Sequence, residues 1–167
     1  MGDSSTPQPA RPKVGVGCFV TSAKYPGCVL LGKRLNKDGL GTYALPGGHV
    51  EFGETFEETA VREVKEETNL DVENARTVAF VNCCRNDIGY HYLIPLVTAE
   101  YKGEDEPVNT EPNKCEGWKW TKWDENLPKP LFYGLEDIIS SGFSPFGPPA
   151  PANTAEGGKV SYFVQQQ

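Results

Sequence analysis

Three glutamates, Glu63, Glu66 and Glu67, stand at the spacing of one helical turn, next to Arg62 and downstream of Gly48 and Glu54. On a helix their carboxylates share one side and repel by about 0.2–0.5 kcal/mol per exposed pair. A divalent cation turns that repulsion into attraction. Hard Mg2+, with Mn2+ as an alternative, takes carboxylate oxygens, water and phosphate oxygens together. The chemistry that fits is cation-assisted attack on a phosphate ester or anhydride. The bland alternative is an ordinary amphipathic helix with a solvated acidic face.

The surrounding residues say how such a cluster is held. Pro46-Gly47-Gly48 is a turn signal that closes an expected strand, Thr42-Tyr43-Ala44-Leu45. A helix is expected to begin near Thr55, with Glu54, Glu57 and Glu58 where the dipole favours acids. Phe56, Ala60, Val61 and Val64 make one apolar stripe for a sheet to cover. Arg62 lies between Glu58 and Glu66 at helical spacing. Asn69 suits a left-handed C-cap.

The remainder reads as strands and one more helix. Alternation from Val14 to Val20 gives a strand with a small face at Gly15 and Gly17, as if another chain segment approached closely. Cys28 to Gly32 reads as a buried strand, followed by Lys33 and Arg34. Thr77 to Cys84 and Tyr90 to Tyr101 form two longer strands around a turn at Arg85 to Gly89, and Trp118, Trp120 and Trp123 mark another. Pro128-Lys129-Pro130 introduces a helix over Leu131 to Ser140. No internal repeat is present. The expected organisation is a leader over 1–12, one domain over 13–146 and a flexible tail over 147–167. The short apolar patch Val160 to Val164 is assigned to the tail. Met1 to Thr6 loosely fits a myristoylation pattern, and a polar leader is preferred.

The chain has 167 residues and a net charge of −7. One domain with a sizeable core is expected. The acidic balance argues against binding duplex nucleic acid. No apolar run spans a membrane and no signal peptide is evident. The five cysteines, odd in number and without metal-type spacing, read as free thiols in a reducing, cytoplasmic compartment. Cys83-Cys84 is given no role.

From Gly48 to Leu70 the sequence resembles the Nudix box, G-x5-E-x7-R-E-U-x-E-E-x-G-U, with U a bulky aliphatic residue. Gly48, Glu54, Arg62, Glu63, Val64, Glu66, Glu67 and Leu70 are in register; Asn69 replaces the usual glycine. Gly47 to Glu54, Glu111 to Trp118 and Asn126 to Phe132 are similar to the eukaryotic MutT-type members. The resemblance implies an α/β fold, an α/β/α sandwich with a mixed central sheet and two main helices. It implies Mg2+-dependent hydrolysis of a diphosphate linked to another group, such as 8-oxo-dGTP going to the monophosphate and pyrophosphate.

By the same resemblance, Glu63, Glu66 and Glu67 hold the cation with the Gly48 carbonyl, and Arg62 supports them. The general base stays open among the three glutamates. Arg34, Gly47 and His49 are implied substrate contacts, His49 ranking above His91. Phe132, Tyr133, Gly134 and Leu135 are implied to line the pocket for the group beyond the diphosphate. Tyr133 stands where relatives carry tryptophan. Glu111 or Glu116 supplies an outlying ligand. A homodimer is implied. Rival readings are a prenyl diphosphate substrate and a non-catalytic binding module.

Overall fold

The computed structural model describes residues 11–147 and 160–162. The myristoylation pattern, most of the leader, and 148–159 and 163–167 of the expected tail lie outside the described residues. In chain order the elements are β1 (Lys13–Val14), β2 (Gly17–Ser22), β3 (Cys28–Arg34), β4 (Tyr43–Ala44), α1 (Phe56–Thr68), β5 (Val72–Arg85), β6 (Tyr90–Tyr101), β7 (Cys115–Lys122), α2 (Tyr133–Ser140) and β8 (Val160–Tyr162).

The expected mixed sheet is realised as two. In the first, β6 is central: β5 pairs it antiparallel, while β1 and β2 lie end to end along its other edge in parallel. The second is antiparallel, in the order β4-β3-β7. Paired on both sides, β6 is buried without a break from Ile94 to Ala99, which explains its run of mostly apolar residues. β2 is likewise buried over Cys18 to Val20, its side chains alternating between two cores. Phe19 faces a core shared with Leu31, Val81, Leu96, Leu135 and Ile138 on the α2 side. Cys18 and Val20 face a second core with Leu30, Val64, Val97 and Ala99 on the α1 side. Each helix therefore covers one side, giving the α/β/α sandwich.

Local signals set the ends of α1. The Thr55 side chain accepts from the Glu58 N–H and the Glu58 carboxylate accepts from the Thr55 N–H, a reciprocal capping box. Asn69 closes the helix at φ 59°, the left-handed conformation that asparagine tolerates best after glycine.

Some boundaries differ from expectation. α2 starts at Tyr133, not Leu131, because Leu131 bridges Tyr43 and Phe132 donates its N–H to the Tyr43 carbonyl in an extended conformation. β5 begins at Val72, five residues before the expected start, and absorbs the extra length in two register shifts. Val160–Tyr162, assigned to the tail, pairs antiparallel with Ala79 to Val81 at the edge of β5.

Candidate active site

One cleft of about 730 Å3 opens where the C-terminal half of α1 meets β6, the start of α2 and the loop after β3. Its walls differ in chemistry. One is acidic, lined by Glu63, Glu66, Glu67 and Glu111. The other is aromatic and apolar, with Tyr90, Tyr92, Ile94, Leu96, Phe132 and Leu135.

Two glycines let the acidic wall close up. The turn at Gly47-Gly48 packs against the entry to β2, where the Val16 N–H donates to the Gly48 carbonyl at 2.8 Å. A Cβ at Gly47 would lie 2.0 Å from the Val16 carbonyl oxygen, so only glycine fits. A Cβ at Gly48 would lie 2.2 Å from Glu63 Oε1, so Glu63 reaches the backbone because Gly48 has no side chain. The Gly47 N–H donates to Glu67 Oε2 at 3.0 Å. The small face expected at Gly15 and Gly17 meets Gly48, Tyr92 and Leu96.

Arg62 organises the glutamates. Its Nε donates to Glu54 Oε1 at 2.7 Å, its Nη1 to Glu63 Oε1 at 2.8 Å and to Glu66 Oε2 at 3.3 Å, and its Nη2 to the His49 carbonyl at 3.1 Å. Of the two glutamates that flank Arg62 at helical spacing, Glu66 is reached and Glu58 is engaged in the capping box. The Arg62 guanidinium, aided by the Thr59 hydroxyl and the Glu51 N–H, holds the Glu54 carboxyl down at about 2. Glu63 moves the other way, raised by burial and by Glu66 and Glu111, with Arg62 opposing. Glu67 is pushed up to about 8, first by burial and then by Glu63 and Glu111, while the Gly47 N–H opposes.

Among the described residues no three His, Cys, Asp or Glu side chains are gathered closely enough to enclose a metal ion. The donor set still fits a hard divalent cation. Glu63, Glu66, Glu67 and Glu111 line the same wall, neighbouring carboxylates help to raise Glu63 and Glu67, and the half-buried Glu67 has a single backbone donor. A cation among oxygen ligands relieves that repulsion. Between the two expected outlying ligands, Glu111 lines the cleft, paired to Lys114 at 2.6 Å. Glu116 pairs with Lys33 at 3.0 Å and is not among the lining residues.

On the opposite wall, Arg34 lays its guanidinium over the Phe132 ring at 4.1 Å, and its Nε donates to the Asp38 carbonyl at 3.0 Å. Gly134 and Leu135 line the cleft as expected; Tyr133 does not. One residue along the helix from Phe132, it turns away to pack edge-on against Tyr90 at 5.1 Å and under Arg85 at 5.7 Å. His49, exposed at the rim, shares a 2.9 Å hydrogen bond with the Tyr92 hydroxyl. His91 bonds Asn82 and is not a lining residue. The sequence reading missed Tyr90 and Tyr92, whose rings stack at 4.5 Å. Period-two alternation along Tyr90, Tyr92, Ile94 and Leu96 was the signal that could have found them.

Comparisons with known proteins bear on the family and the fold. A family model described as NUDIX domain matches residues 11–141. Nudix hydrolase 2 of Arabidopsis thaliana is 29% identical over 162 residues, covering 89% of this chain and 58% of that protein. An ADP-ribose pyrophosphatase of Methanocaldococcus jannaschii is 62% identical over 42 residues, 25% of each chain. This chain thus spans less than two thirds of the length of both relatives. Among solved structures, a MutT NUDIX hydrolase from Burkholderia pseudomallei superposes with a TM-score of 0.70 at 29% identity, covering 78% of this chain and 98% of that one.

Proposed function

The chain belongs to the NUDIX domain family, and from that premise we propose that it is a cytosolic, divalent-cation-dependent nucleoside triphosphate diphosphatase. Its preferred substrates are oxidised purine deoxynucleotides such as 8-oxo-dGTP, hydrolysed to the monophosphate and pyrophosphate. The observation that carries this reading is the continuity of the cleft. A diphosphate at the acidic wall places the group attached to it against Tyr90, Tyr92 and Phe132. Flat aromatic rings with an apolar floor suit a purine.

Glu63, Glu66, Glu67 and Glu111 would hold the cation, Mg2+ or Mn2+, with the second lone pair of the Gly48 carbonyl available. When bound, the cation supplies charge neutralisation for the phosphates and makes water more acidic. The protein does the rest. Arg62 pins Glu63 and the Gly47 N–H pins Glu67, so both keep their places. Glu66, the most exposed of the three on α1, with its carboxylate held by one 3.3 Å contact to Arg62, would orient water and take its proton. Arg34 and Lys114, both at the cleft, meet the phosphate oxygens. Water opens the anhydride next to the nucleoside, and pyrophosphate leaves with the electron pair.

The test is product release from 8-oxo-dGTP, dGTP, dCTP, NADH and geranyl diphosphate, each with Mg2+, with chelator and with Glu67→Gln. Chelator-sensitive 8-oxo-dGMP and pyrophosphate, lost in the variant, supports the proposal. Phosphate release from geranyl diphosphate alone assigns the aromatic wall to an isoprenoid. Tight binding without turnover makes the chain a binding module. Homodimer assembly belongs to the same proposal and is checked by light scattering.

A further inference from the structure

The last four carbonyls of any α-helix lack a partner within the helix, and the negative end of its dipole disfavours carboxylates nearby. α1 ends where Glu66 and Glu67 must sit close to other acids. Its four terminal carbonyls are nevertheless all engaged. Lys65 O accepts from the Asn69 N–H at 3.0 Å, the ordinary left-handed cap. The other three are met from one distant segment. Glu66 O accepts from the Thr110 hydroxyl. Glu67 O accepts from Trp118 Nε1 at 3.0 Å and from the Thr110 N–H at 3.4 Å. Thr68 O accepts from the Val108 N–H at 2.9 Å.

The same segment brings Glu111 and Lys114 into the cleft. It is therefore tied to the backbone of Glu66 and Glu67 on one side and presents a further carboxylate to them on the other. Four donors at the helix terminus offset the partial negative charge that would push the glutamates apart, and they fix the helix end relative to Glu111.

We propose that Thr110 and Trp118 are positioning residues for the cation site. Through the Glu66 and Glu67 carbonyls they hold those glutamates in register with Glu111 and so set cation affinity. The inference rests on the reading that these glutamates hold the cation. Neither Thr110 nor Trp118 is among the residues that line the cleft.

The experiment titrates Mn2+ alone, by electron paramagnetic resonance, into the full chain and into Thr110→Val, Thr110→Ser, Trp118→Phe and Glu67→Gln. Melting curves are run on each. Removing one such hydrogen bond should weaken Mn2+ binding about three- to tenfold. Thr110→Val and Trp118→Phe should show that loss. Thr110→Ser, which keeps the hydroxyl, should stay within about twofold of the parent. Saturating Mn2+ should restore kcat in both weakened variants. If both lower the melting temperature but bind Mn2+ like the parent, they are only helix caps and the proposal is overturned. Should Trp118→Phe fail to fold, the Thr110 pair decides alone. If Glu67→Gln also binds Mn2+ like the parent, the cation reading itself fails, a result distinct from failure at Thr110 with Glu67→Gln inactive in binding.

Discussion

The two walls of the cleft are held in opposite ways. The acidic wall gathers like charges, and its order comes from polar contacts: Arg62 across Glu54, Glu63 and Glu66, the Gly47 N–H on Glu67, and donors on the end of α1. Apart from the Arg34 guanidinium over Phe132, the aromatic wall is the margin of the core, where Ile94, Leu96 and Leu135 continue inward to Phe19 and Ile138. On the proposed function the acidic wall gives up stability for reactivity, whereas the apolar wall stabilises the fold and shapes the pocket. Substitutions in the first should change chemistry more than folding, and those in the second the reverse.

Glu67→Gln is the sharpest test of that contrast. Turnover should fall about 10³-fold or more, the several-kcal/mol scale of cation charge stabilisation. The cation-free protein should gain about 1–3 kcal/mol at pH 7, because a carboxyl pushed up to about 8 is costly to ionise where it sits. A denaturant melt with chelator checks the gain; a loss of stability would break the comparison.

The paired glycines come next. In Gly48→Ala the new methyl meets the end of the flexible Glu63 side chain, which swings away. Activity should drop about 10- to 100-fold while stability changes by less than about 1 kcal/mol. In Gly47→Ala the methyl meets the Val16 backbone, which cannot move cheaply. Activity and about 1–3 kcal/mol of stability should both go. Equal melting temperatures for the two variants would contradict this.

Leu135→Ala probes the other wall. Loss of a buried leucine should cost about 2–5 kcal/mol and raise KM, with Mn2+ affinity unchanged. A parallel fall in Mn2+ affinity would mean the walls are not independent.

The smallest effect concerns acid stability. The folded-state pKa of Glu54 lies near 2, below its ordinary 4.5. Its contribution is therefore complete above pH 4.5 and is withdrawn as pH falls through 4.5 towards 2. Melting temperatures taken from pH 6 to 2 should fall less steeply for Glu54→Gln than for the parent.

The contrast also explains what could be read in the sequence. The acidic wall is built mostly within one helix, so Thr55, the glutamate spacing and Asn69 announce it through local rules. Even there, the spacing that sets Arg62 between Glu58 and Glu66 is realised only at Glu66, because the capping box claims the Glu58 carboxylate. The local pattern read Gly47 and Gly48 as a turn, while their need for bare Cα atoms depends on β2 and Glu63 arriving from elsewhere. The aromatic wall joins Tyr90 and Tyr92 to Phe132 across the sandwich, and no local spacing encodes that meeting. Tyr133 shows the same limit. Adjacent to Phe132 in sequence and sharing its edge-on contact with Tyr90, it lies under Arg85 and does not line the cleft. Choosing Glu111 over Glu116 likewise required knowing which residue precedes β7 and which lies on it.

The most direct test of the account is quantified release of 8-oxo-dGMP and pyrophosphate from 8-oxo-dGTP by the full chain at saturating Mg2+, beside Glu67→Gln. The account predicts steady turnover that chelator abolishes and the variant lacks. Turnover that persists at parental rate in Glu67→Gln would contradict it, because the acidic wall would then not be where the chemistry occurs.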